Sequence, residues 1–151
     1  MLVPLWASMA VVVVLVTAPW RRVTLYESGW MWIPAAALFA LGVSLYKSAG
    51  ATFSLKQLQG TPELSAEHAE QRLVTNGIHA RVRHPVYLAH LCEMLAWSIG
   101  TGLATCFALT AFAMFTGVFM ICAEDAELER RFGNSYRAYR KSVPAVLPKF
   151  R

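Results

Sequence analysis

The chain has 151 residues, 56% of them hydrophobic and only 15% charged, with a mean hydropathy of +0.43. A soluble domain carries about a quarter charged residues, so this composition excludes an ordinary globular domain and points to a membrane protein. The net charge of +5 suits basic juxtamembrane segments facing anionic lipid headgroups; nucleic acid is not the expected partner.

A spanning helix needs roughly 20 mainly apolar residues, and stretches 2–19, 29–46, 85–100 and 103–122 come near that length. No Lys or Arg precedes the first, and the following "APWRRV" lacks a small-x-small cleavage site, so it is read as retained rather than as a signal peptide. The expected fold is therefore all-α and integral to the membrane, with four transmembrane helices, a cytoplasmic loop and an amphipathic C-terminal helix. It forms a single membrane domain over 1–151: a two-span scaffold (1–46), the loop (47–84), a transmembrane hairpin (85–122) and the C-terminal helix with its tail (123–151).

The first two spans, "AVVVVLV" and "IPAAALFALGV", hold no ionisable group, and Trp6, Trp20, Trp30, Trp32 and Tyr46 sit near their ends as interfacial anchors. Arg21 and Arg22 lie in the first connection, whereas the other Lys and Arg residues lie within 47–83 or beyond Ala123. The positive-inside rule places that loop, both termini and any active site on the cytoplasmic side, of the cytoplasmic membrane if the source is bacterial. Within the loop, Gly60-Thr-Pro62 marks a turn and Ser65 caps a short helix running to Arg72.

Only Gly100-Thr-Gly102 separates the third and fourth spans, which forces a tight hairpin. The segment at Arg83-His84-Pro85 and the one at Glu124-Asp125 must then emerge side by side. Beyond Cys122, Leu128, Phe132, Tyr136, Tyr139 and Val143 recur at helical steps, predicting one amphipathic helix that Pro144 ends. Cys92, Cys106 and Cys122 fall in the last two spans without metal-type spacing and read as small apolar residues. The histidines form no close pair or box, and no metal is expected.

Pro85 suits the first turn of a helix, whose free N–H groups and positive end, with Arg83 and His84, would attract a carboxylate or phosphate. Glu124 and Asp125 opposite would attract a cation. A ligand carrying both charges fits, S-adenosylmethionine among several. The competing reading is a salt bridge from Arg83 to Glu124 or Asp125 that merely ties the hairpin ends together.

The stretches "LVTNGIHARVRHPVYLA" and "EDAELERRFGNSYRAYRKSVPAVLP" resemble the core of the isoprenylcysteine carboxyl methyltransferase family and its phospholipid N-methyltransferase relatives. The shared pattern is L-V-T-x-G, R-H-P-x-Y, a hairpin, E-E-x-x-L-x-x-x-F-G-x-x-Y-x-x-Y and V-P-x-x-L-P, matched in order over residues 73–148. The resemblance implies S-adenosylmethionine as the methyl donor. It would be bound without a Rossmann fold by Gln71, Arg72, Leu73, Val74, His79, His84, Pro85, Tyr87 and Glu124, with Arg83 shaping the wall. It also implies a lipid or lipid-like acceptor entering from the bilayer. Asp125 stands for a second glutamate, and His79 for a tyrosine. Met120 stands where relatives acting on prenylcysteine carry an arginine, which counts against a carboxyl acceptor.

His90 and Glu93 share one helix face inside the third span, near Trp97. Ionisable groups there are expensive and tend to face the bundle interior or a polar cavity. They are read either as catalytic groups bordering the acceptor path, taking a proton from a thiol or amine, or as a structural hydrogen-bonded pair. The expected activity is a membrane-embedded methyltransferase of the isoprenylcysteine carboxyl type. The alternatives are a phospholipid N-methyltransferase, a small-thiol S-methyltransferase, or a non-catalytic protein binding lipid or a partner, and so few spans make a homodimer plausible. Sterol reductases share R-H-P-x-Y, but their N-Y signature is not met by Val86-Tyr87.

Overall fold

A computed structural model of the chain describes residues 11–12, 15–51 and 73–148. Among these residues every regular element is helical, and the one extended pairing is an isolated bridge between Thr24 and Leu103. The architecture rests on α1 (Trp32–Gly50), α2 (Pro85–Thr101), α3 (Ala104–Phe132) and α4 (Asn134–Ser142), with a 3-10 turn at Gly77–Ala80 before α2. Gly29–Gly50 and Ala104–Phe132 are long and apolar enough to cross a membrane. At 17 residues α2 is shorter than either. The expected first span lies largely, and the loop helix after Ser65 wholly, outside the described residues.

Small residues decide how α1 and α2 meet. Ala35, Gly42 and Ala49 recur at heptad spacing on the buried side of α1, opposite buried Ala89, Cys92, Ala96 and Gly100 of α2. Without bulky side chains the backbones approach closely, which is how helices pack where lipid removes the hydrophobic drive. The α2–α3 contact is sparser and includes a buried hydrogen bond between the Ser98 and Thr110 hydroxyls (2.9 Å).

The hairpin is as tight as its sequence requires. Gly102 adopts φ +65°, and a Cβ there would lie 2.3 Å from the Tyr26 backbone oxygen, so only glycine fits. Residues 23–25 dock on this turn through Leu25 N–H to Gly102 O (2.8 Å) and Ala104 N–H to Val23 O (2.9 Å). The first connection and the hairpin turn therefore share one end of the bundle.

The C-terminal region departs from the expected single amphipathic helix. α3 continues past Cys122 to Phe132, and the helical path then breaks at Gly133 (φ 55°, ψ −126°) before α4 begins. The backbone turn places Tyr136 in the protein interior instead of on a membrane-facing stripe; Tyr136 is 0% exposed. Beyond α4, Arg83 N–H donates to Pro144 O and His84 N–H to Ala145 O, each at 2.9 Å. The tail thus straps the entry to α2.

Candidate active site at the helix ends

The start of α2 and the polar extension of α3 meet as the hairpin geometry demands. Asp125, 3% exposed, is the hub of the junction. Arg83 Nη2 donates to its Oδ2 at 2.9 Å, His84 Nε2 lies 2.8 Å from its Oδ1, and the Tyr136 hydroxyl donates to Oδ1 as well. Arg140 Nε adds a longer contact to Oδ2 at 3.5 Å. A buried carboxylate is costly unless its oxygens are hydrogen-bonded, and here Arg83, His84 and Tyr136 bond to them.

Glu124 is placed differently. Its side chain is 46% exposed, and its Oε2 lies 3.4 Å from His84 Nδ1. Tyr87 also bonds to it, and the Tyr87 and His84 rings meet edge to face at 5.7 Å. Consecutive helical positions lie about 100° apart, so one acid turns into the hub and the other toward solvent.

His84 therefore has a carboxylate at each ring nitrogen. Burial alone would lower its pKa, but the hydrogen bonds and charges of Glu124 and Asp125 outweigh burial and hold it above the ordinary value. The His84 hydrogen bond in turn holds Glu124 below the usual carboxylate range, against the opposing effect of burial. Burial would raise Asp125, but Tyr136, His84 and Arg83 pull it down. Burial, with the neighbouring Asp125, pushes the Tyr136 phenol up and keeps it a proton donor.

Of the residues singled out in the sequence, Arg83, His84, Tyr87 and Glu124 come together, with Pro85 buried in the first turn of α2. Arg83 is committed to holding structure, since its Nη1 also donates to Arg140 O at 3.0 Å. The anticipated anion site at the start of α2 is reduced, because the Arg83 and His84 N–H groups already serve the tail strap. Helix geometry leaves the first-turn N–H groups of Val86 and Tyr87 for that purpose.

His79 is buried behind the cluster, its Nδ1 3.3 Å from Arg83 O, and its own carbonyl accepts from Tyr139 at 2.6 Å. Burial lowers its pKa. Leu73 and Val74, half-buried, lead into the turn at Gly77–Ala80; Gln71 and Arg72 lie outside the described residues. The sequence reading did not assign Tyr136, Tyr139 and Arg140 to the site. Helical spacing puts Tyr136 and Tyr139 on an amphipathic stripe, and the closing Y-x-x-Y of the family pattern is the signal that could have found them.

His90 and Glu93 form a separate group deeper in α2. The Tyr46 hydroxyl lies 2.6 Å from His90 Nε2 and 2.8 Å from Nδ1, and the Glu93 side chain passes over Gly42. They face α1, whereas the His84 cluster faces α3 and α4.

Residues 30–135, which include the His84, Glu124 and Asp125 cluster, match the phospholipid methyltransferase family. The chain belongs to that family. Curated relatives include the protein-S-isoprenylcysteine O-methyltransferase of Schizosaccharomyces pombe, 35% identical over 91 residues that make up 56% of this chain and 36% of the relative. Protein-S-isoprenylcysteine O-methyltransferase A of Arabidopsis thaliana is 35% identical over 50% of this chain and 39% of its own length. The Homo sapiens protein-S-isoprenylcysteine O-methyltransferase is 36% identical over 50% of this chain and 27% of its own. The chain thus spans well under half the length of these members of the family.

Proposed function

We propose that the chain is an integral-membrane methyltransferase that spans the bilayer four times, keeps its site on the cytoplasmic side, and transfers a methyl group from S-adenosylmethionine to an isoprenylcysteine-like acceptor. The observation that carries this reading is the asymmetric acidic pair. Asp125 is locked in a hub, which leaves Glu124 half-exposed beside His84 and Tyr87.

This set of groups suits a donor with an ammonium, a sulfonium and a carboxylate. Glu124 would meet a cationic group, and the first-turn N–H groups of α2 would meet the carboxylate. The bound donor supplies an electrophilic methyl carbon. The protein must then align the nucleophile and exclude water, and such positioning can supply several kcal/mol, up to about 7–11, of the barrier. α4 and the tail strap roof the cluster, and the Asp125 hub fixes His84. Glu93 or His90 would accept a proton from a thiol or amine, whereas a carboxylate acceptor arrives already ionised. Met120, 55% exposed on α3 where relatives acting on prenylcysteine carry arginine, favours a second reading in which the acceptor is a phospholipid amine or a small thiol.

The test is calorimetric binding of S-adenosylmethionine to detergent-purified wild type and Glu124→Gln, with a nicotinamide dinucleotide as control. Removing a charged hydrogen-bond partner costs roughly 1.5–3 kcal/mol, so affinity should fall at least about tenfold in the variant. Equal affinities would remove Glu124 from the donor site, and no binding to wild type would overturn the reading. Labelled-methyl transfer to S-farnesylcysteine, phosphatidylethanolamine and small thiols then separates the acceptors.

A further inference from the structure

His84 stands between two acids, and its ring satisfies both in only one protonation state. Nε2 lies 2.8 Å from Asp125 Oδ1, and Nδ1 lies 3.4 Å from Glu124 Oε2. A neutral imidazole carries a proton on one ring nitrogen alone, whereas the imidazolium donates from both. The imidazolium also balances the cluster, since with Arg83 it offsets the two carboxylates one for one. The other groups around the ring do not supply that second positive charge. Tyr87 of α2 bonds to Glu124, and Tyr136 and Arg140 of α4 approach Asp125 from its far side. His79, in the turn before α2, adds a second imidazole that burial holds below the ordinary histidine value.

The two sides of the His84 ring are unequal. Asp125 is 3% exposed and has Arg83 and Tyr136 as further donors, and a neutral His84 protonated at Nε2 still donates to it. The Glu124 side chain is 46% exposed, with Tyr87 as its other partner, and is open to a ligand. The proton at Nδ1 is therefore the one that the cluster can lose while the Asp125 hub stays bonded.

We infer that His84 carries a displaceable proton at Nδ1, which leaves to solvent when the methyl donor brings its cationic group to Glu124. This role rests on the methyltransferase reading, with S-adenosylmethionine bound at Glu124. A donor cation on that carboxylate takes over the counter-charge that His84 supplied and sets a like charge beside the imidazolium, and a like charge disfavours the protonated ring. Loss of the Nδ1 proton restores the balance, while the Nε2 proton goes on serving Asp125. In the free protein the two acids hold His84 protonated above the ordinary histidine range. Donor affinity therefore rises with pH through that titration, because binding and proton release are one linked event.

The experiment titrates S-adenosylmethionine calorimetrically into the full chain in phosphatidylcholine nanodiscs, in PIPES and in ACES, two buffers of unlike ionisation enthalpy. The window is about pH 6.5–7, because the donor's own α-amino group titrates nearer 7.7–8.0 and, held as an ammonium, would take up a proton there. The difference between the heats in the two buffers gives the protons exchanged per donor bound. Release of about half a proton or more is expected, with donor affinity rising about threefold or more per pH unit. Glu124→Gln removes the carboxylate at Nδ1 from a half-exposed position and should bring the release close to zero at its weaker affinity. His84→Gln should do the same while its amide still donates to Asp125. Either variant locates the proton, and wild type alone decides whether one leaves. Heats that do not depend on buffer in wild type, uptake in place of release, or release undiminished in Glu124→Gln would each overturn the inference while donor binding and the functional reading stand. Absence of donor binding to wild type would overturn the functional reading and this role with it.

Discussion

The two polar groups of α2 are built in opposite ways. At the N-terminal end of α2, Asp125 collects Arg83, His84 and Tyr136, and the backbone strap from Pro144 and Ala145 closes over them. Between α1 and α2, the Tyr46 hydroxyl meets the His90 ring, Glu93 lies one turn further along, and His90 stays exposed on the helix face. A buried carboxylate with both oxygens hydrogen-bonded has stability to lose and geometry to hold. A sparse polar group on an apolar helix is expensive without being held rigid. The first region is tied by many partners and the second by few.

The largest expected effect lies in the saturated region. Asp125→Ala leaves Arg83 buried without its carboxylate and His84 with Glu124 alone, and breaking such a group costs roughly 3–5 kcal/mol. Chemical or thermal unfolding in detergent should register most of that loss, and a change below about 1 kcal/mol would mean that Asp125 is not the hub.

Next comes the sparse region. If Glu93 takes a proton from the acceptor, Glu93→Gln lowers turnover about hundredfold with donor affinity and stability unchanged. Turnover within twofold of wild type would indicate an acceptor that arrives ionised, or return Glu93 to a structural role.

A smaller effect tests the roof. Gly133 has φ +55° and open space around its Cβ direction, so Gly133→Ala costs only the backbone strain, about 1–2 kcal/mol. Stability and donor affinity should fall together, because the break sets where α4 lies over His84. A drop in stability with donor affinity intact would detach the roof from the site.

The smallest is the pH response. The folded pKa of His84 is raised, so its contribution is complete below the unfolded value of about 6.5 and lost as pH rises through the higher folded value. Asp125 is lowered, so its contribution is present above about 3.9 and lost as pH falls through the lower folded value. Thermal midpoints should therefore be highest between about pH 4 and 6.5 and decline toward alkaline pH. His84→Gln should flatten the alkaline limb; an unchanged limb would assign the decline to another group.

The ordered motifs R-H-P-x-Y and the E-D helix made the meeting of His84 with the acidic pair legible before any coordinates, since a hairpin of three linking residues leaves the ends of α2 and α3 no other arrangement. The length of the apolar stretches likewise marked α1, α2 and α3. Periodicity failed beyond Cys122, where steps of three and four run across Gly133 as though the helix were unbroken. A single positive φ there turned Tyr136 from a surface residue into a partner of Asp125.

What the sequence determined by itself is the class of protein and the pairing of its chemical groups, because apolar length and short connections act locally along the chain. Only the tertiary structure decided which acid is buried and which is presented. That choice depends on the azimuth of two consecutive helical positions against Arg83, Tyr136 and the returning tail, and no spacing in the sequence records it.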